Sequence, residues 1–144
     1  MNPRYVESAS LSIGKVALRA GIGVETIRFY EHEGLLAAPA RRDSGYRLYT
    51  EGVISRIRFI RRAKELGFSL KEIKELLQLR RNPSSTCEDI REKAEAKIAN
   101  VDAKIAMLKK MKQALTELSA VCKGRTSLGE SPILEFLDKG GDLE

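Results

Sequence analysis

The chain has 144 residues, 42% hydrophobic and 32% charged, with a formal net charge of +6; that is the size of one domain, or of a small domain with an appendage. No apolar run approaches the roughly 18 residues that span a bilayer, and the start Met1-Asn2-Pro3-Arg4-Tyr5 lacks the apolar core of an export signal. Two cysteines and one histidine exclude a disulfide framework and a four-ligand zinc site built by one chain, so a thiol-reducing cytoplasm is the expected location.

The charge is segregated. Residues 1–81 carry 16 Lys and Arg against 9 Asp and Glu, whereas residues 82–144 carry 10 against 11. A basic half joined to a near-neutral half points to nucleic acid or an acidic surface as the partner of the first. Much of the surplus is Arg, whose planar fork suits phosphate.

Residues 1–11 read as an N-terminal tail. Ser12 is a plausible N-cap for a short helix with Ile13, Val16, Ala17 and Ala20 on its apolar face. Gly21-Ile22-Gly23 breaks it. A second helix carries Val24, Ile27, Phe29 and Tyr30 and ends near Glu33-Gly34. Two short helices across a glycine turn predict a helix-turn-helix, whose second helix usually enters the major groove.

Residues 39–49 contain a turn at Asp43-Ser44-Gly45 between segments with strand propensity. A small hairpin, or wing, is predicted, carrying Arg41, Arg42, Arg47 and two tyrosines, Tyr46 and Tyr49, a mixture suited to sugar and phosphate. Thr50 is expected to cap a third helix with Val53, Ile54, Ile57, Phe59, Ile60 and Leu66 as its apolar set. Ser69 caps a fourth, with Glu72 completing a capping box. Asn82-Pro83 closes a winged helical unit over residues 12–82.

From Thr86 to about Val121 there is neither Pro nor Gly. Apolar or small residues recur from Ile90 through Ala94, Ile98, Val101, Ile105, Leu108, Met111 and Leu115 to Leu118, at a mean step of 3.5, the period of a coiled-coil seam. A lone amphipathic helix of that length must bury its stripe, and a second copy of itself is the expected partner, over residues 86–121. Cys87 and Cys122 extend the seam at either end, 35 residues or roughly 52 Å apart along a helix. Within one chain they cannot meet. In a parallel pair each faces its own copy; in an antiparallel pair Cys87 of one chain lies beside Cys122 of the other. Past Cys122, residues 122–144 read as a loop, a short helix at Ile133, Leu134, Phe136 and Leu137, and a tail.

Five segments together resemble the MerR family of transcription regulators: Ile13-Gly14-Lys15-Val16-Ala17, Gly23 through Glu31, Gly34-Leu35-Leu36, Gly45-Tyr46-Arg47-Leu48-Tyr49, and Leu66 through Ile73. The resemblance implies a mainly α fold: a winged helix-turn-helix, a long antiparallel dimerisation helix, and a short C-terminal effector loop and helix. It implies a homodimer on a promoter palindrome, which represses without effector and activates with it by distorting double-stranded DNA for RNA polymerase. DNA contacts are expected from Thr26, Arg28 and Tyr30 of the second helix and from Arg41, Arg42, Tyr46 and Arg47 of the wing. Localisation follows as cytoplasmic, on the bacterial nucleoid.

The likeness is greatest to the mercury-responsive, divalent-metal-sensing members. Those carry a thiol at the start of the dimerisation helix, one at its end, and one in the loop before a proline. Cys87 and Cys122 match the first two, while Ser131, followed by Pro132, occupies the third. Two thiolates suffice for Hg(II) but are few for Cd(II), Pb(II) or Zn(II). Hg(II) is therefore the expected effector, with another soft divalent ion, or a thiol redox signal, as the alternative. A hydrophobic effector is disfavoured by the shortness of the C-terminal region. No acid–base or nucleophile constellation is present, so an enzyme is not expected. His32 is expected to be exposed or to face phosphate rather than to bind metal.

Overall fold

The computed structural model describes residues 10–39, 46–122, 124 and 127–140. It is mainly helical and divides into two compact units, Met1–Lys93 and Ala94–Glu144.

The first unit holds four helices and the beginning of a fifth. Helix α1 (Ile13–Ala20) starts on Ser12, whose side chain accepts the Lys15 N–H as expected of an N-cap. It stops at Gly21, where φ is +71°, a left-handed conformation that a side chain would strain. Arg61 completes the stop by donating to the freed Ala20 carbonyl at 2.8 Å. Helix α2 (Val24–His32) follows after a short turn, so the expected helix-turn-helix is present.

Helix α3 (Glu51–Glu65) begins after Thr50, but the Thr50 side chain makes no capping bond. The reciprocal Ser69–Glu72 capping box of helix α4 (Leu70–Arg81) is complete. The core interleaves α1, α2 and α3 through Val16, Ile27, Ile57 and Ile60, with Ile73 added from α4, all fully buried. Leu66, expected in the apolar set of α3, is instead largely exposed at that helix's C-terminal end.

The wing is only partly within the described residues. Arg41, Arg42 and the Asp-Ser-Gly turn lie outside them. The returning segment, Tyr46–Tyr49, docks on the N-terminal side of the chain: Tyr49 and Leu11 form an antiparallel bridge, with N–H to O distances of 2.7 and 3.0 Å. Residue 11, assigned to a tail from the sequence, is thus tied into the unit, and both bridge residues are buried.

Helix α5 (Cys87–Val121) runs for 35 residues. Thr86 and Asp89 cap its start reciprocally: the Thr86 N–H donates to the Asp89 carboxylate at 2.7 Å, and the Asp89 N–H to the Thr86 hydroxyl at 3.4 Å. Lys93 reaches Glu75 of α4 at 2.9 Å, so the first turns of α5 belong with the first unit. No residue of α5 is buried, and its expected seam, from Ile98 through Val101, Ile105, Leu108 and Met111 to Leu115, is open. Beyond it come a single 3-10 turn, Leu128–Glu130, and helix α6 (Pro132–Lys139). Among the described residues no helix is long and apolar enough to cross a membrane.

Candidate nucleic-acid interface and thiol site

Helix α2 buries Ile27 and Tyr30, three residues apart, and turns Glu25, Arg28, Phe29 and His32 outward, the i, i+3, i+4, i+7 set of one helix face. This corrects one sequence expectation. Tyr30, assigned to DNA contact, is 3% exposed because its ring fills the core one turn beyond Ile27. Its neighbour Phe29, at 47%, has the exposed place. Thr26 is half-buried near the start of the helix, and its N–H donates to the Gly23 carbonyl. Arg28 and His32 are exposed, as expected.

Arg28 meets the wing segment. A cleft of about 390 Å³ is lined by Ser12, Ile13, Arg28 and the run Tyr46-Arg47-Leu48-Tyr49. Three of the residues assigned to DNA from the sequence, Arg28, Tyr46 and Arg47, therefore share one surface, and Tyr46 is 73% exposed. Below it, Glu31 accepts from Arg47 at 3.2 Å and from the Tyr49 hydroxyl. Burial, together with the Glu31 carboxylate, pushes the Tyr49 phenol up to about 12. The sequence reading placed Tyr49 on the wing and Glu31 in the second helix, but foresaw neither the burial of Tyr49 nor its bond to Glu31. Glu31 carries no motif of its own, and only the period that buries Ile27 and Tyr30 could have placed it at the edge of the stripe.

Positive charge is crowded elsewhere on the same unit. The Arg56 guanidinium is held below its ordinary value, by burial first and then by Arg81 and Arg80. Arg80 lies over the Phe59 ring at 5.7 Å, a cation–π distance.

The two thiols differ in setting. Cys87 is exposed at the first position of α5, and Cys122, just past its last, is half-buried. The Cys122 Sγ lies 3.8 Å from the Ser131 Oγ, so the residue at the expected third-thiol position does stand beside the second thiol. Ser131 has another task that the sequence reading missed. It is the N-cap of α6, accepting the Leu134 N–H at 3.4 Å, and it is 9% exposed. A serine just before Pro132 and an apolar run was the available signal. Among the described residues, no three His, Cys, Asp or Glu gather into a possible metal site within one chain.

Family models match twice: "MerR HTH family regulatory protein" over residues 11–80 and "MerR, DNA binding" over residues 54–118. The mercuric resistance operon regulatory protein of Pseudomonas fluorescens is 40% identical over 134 residues, 93% of this chain and 92% of the relative. The chain belongs to the MerR family. The HTH-type transcriptional regulator ZntR of Escherichia coli K12 is 38% identical over 130 residues, 89% of this chain and 92% of that one. Among solved structures, the transcription regulator PbrR691 from Ralstonia metallidurans CH34, in complex with lead(II), superposes with a TM-score of 0.80 at 37% identity, covering 89% of this chain and 99% of that one. MerR-family proteins are DNA-binding regulators rather than enzymes. Residues 119–144, which hold Cys122 and Ser131, lie past both family models.

Proposed function

We propose that this MerR-family protein is a metal-responsive transcription regulator that binds a promoter palindrome as a homodimer, with Hg(II) as its effector. The reading rests on one observation above all: the two cysteines stand at opposite ends of a 35-residue helix whose apolar seam is uncovered. A second copy laid antiparallel covers that seam and pairs Cys87 of each chain with Cys122 of the other. Each dimer then has two thiol pairs, neither of which a single chain can make. Hg(II) supplies a bond to thiolate strong enough that two donors hold it. The name of the Pseudomonas relative, with its mercuric resistance operon, supports that ion.

Thr26 and Arg28 of α2, with Tyr46 and Arg47 of the wing segment, face the duplex; Arg41 and Arg42, outside the described residues, join this reading from the sequence alone. Ion binding can shift the regulator from repressor to activator only by favouring one dimer state over the other. The output is a change in DNA shape that RNA polymerase reads. A second reading keeps everything except the ion. The structural relative PbrR691 was solved in complex with lead(II), and a Cys122–Ser131 pair offers sulfur and oxygen side by side.

The test mixes Cys87→Ala and Cys122→Ala chains and isolates the heterodimer. Titration with Hg(II), followed by thiolate charge-transfer absorption, is expected to saturate at one ion per heterodimer and two per wild-type dimer. Two ions or none in the heterodimer would sink the cross-subunit arrangement. Parallel titrations of the wild type with Cd(II), Pb(II) and Zn(II) rank the ions.

A further inference from the structure

An acid on a surface that faces phosphate is ordinarily a liability, since it repels the backbone the surface must approach. Glu31 is such an acid, on the last turn of α2, three residues past Arg28. Its side chain is 7% exposed, and a carboxylate so enclosed is costly unless hydrogen-bonded. Both of its oxygens are engaged. Oε1 accepts from the Tyr49 hydroxyl and Oε2 from the Arg47 guanidinium at 3.2 Å. Tyr49 is itself fixed, 1% exposed and bridged through its backbone to Leu11. The Arg47 side chain is 39% exposed, and a guanidinium has five donors, so its contacts with Glu31 and the Tyr49 phenol leave part of the fork open to a further acceptor.

We infer that Glu31 is a positioning residue for DNA binding: clamped by Tyr49, it holds Arg47 on the rim of the cleft beside Arg28, so that one fixed pair of cations meets the phosphates. Fixing a long side chain beforehand spares the rotamer entropy that binding would otherwise cost. The inference rests on the reading of Arg47 as a DNA contact.

Glu31→Gln removes the charge while keeping length and shape, and Glu31→Asp keeps the charge but withdraws the carboxylate from its partners. The full-length dimers are compared on a fluorescent duplex recovered by the wild-type protein from a random-sequence pool, over a range of salt. Thermal unfolding of the same samples reports whether the variants remain folded. Both variants are expected to weaken binding roughly tenfold and to reduce the salt slope by about one phosphate contact, the change also expected of Arg47→Ala. Neither loss is expected to add to that of Arg47→Ala in a double variant. Tighter binding by Glu31→Gln, the outcome for an acid that merely repels DNA, overturns the inference, and so does full additivity. If Arg47→Ala itself leaves the salt slope unchanged, Arg47 is no DNA contact and the inference falls with that assignment.

Discussion

Ile27, Ile57, Ile60 and Ile73 in the first unit are wholly buried, whereas Ile90, Ile98 and Ile105 along α5 are 42–54% exposed. The residue type is the same and the solvation is not. Ile27 to Ile73 sit on helices short enough to fold against one another, so the DNA-binding unit finishes its own core. A single 35-residue helix has nothing within its own turns to cover a stripe that returns every 3.5 residues. An isoleucine left in water forfeits a gain on the order of 1.5–3 kcal/mol, and several in one line make a surface suited to another helix. On the proposed reading, a second copy supplies what one chain lacks.

Charging the seam attacks this difference most directly. Leu108→Glu with Met111→Glu is expected to turn the dimer into monomers in sedimentation equilibrium at micromolar concentration, and to abolish operator binding. A dimer that persists would place the interface elsewhere. Next in size is Ile57→Ala in the self-sufficient core, which should cost about 2–5 kcal/mol in chemical denaturation of the DNA-binding unit. The matched Ile105→Ala should leave that unit's unfolding alone and make dissociation of the dimer more sensitive to dilution.

A further change probes the thiol site. Ser131→Cys places a sulfur beside Cys122 and should raise affinity for Pb(II) or Cd(II) at least about tenfold, with a smaller gain for Hg(II), which two thiolates already hold. Competitive titration against a chromophoric chelator measures both. An unchanged ratio would mean that residue 131 does not reach the ion.

The smallest effect belongs to Tyr49, whose folded phenol, near 12, lies above the ordinary value of about 10. A raised folded value means that the native state holds the proton longer. Its contribution is therefore complete below about pH 10 and lost as pH climbs toward 12. Stability measured across that window should fall more steeply for the wild type than for Tyr49→Phe.

The parts of the sequence that could be read were those with a period or a motif. Ser12, the Gly21 turn, the Ser69–Glu72 box and the 3.5-residue seam each express local backbone chemistry, and the helices lie where these signals place them. Tyr30 shows where that reading failed. On a nine-residue helix, a shift of one position separates the face that packs from the face that meets DNA, and Phe29 and Tyr30 are equally aromatic. Glu31, Tyr49 and Leu11 were hidden for another reason: their partnership joins segments 18 and 38 residues apart, and no local pattern encodes it. At the thiol end, Ser131 was read as a vacant ligand position, though its place before Pro132 also marks a helix start.

That double occupation bears on how ion preference could change over evolutionary time. Serine and cysteine differ by one atom in the side chain and can be exchanged by a single nucleotide substitution. The oxygen in place steadies the first turn of α6, whereas a thiol is the weaker acceptor and would give up part of a cap worth about 1 kcal/mol. Selection for a broader range of ions would therefore work against a small, constant folding penalty in the same loop, and a lineage challenged by mercury alone would have reason to keep the hydroxyl.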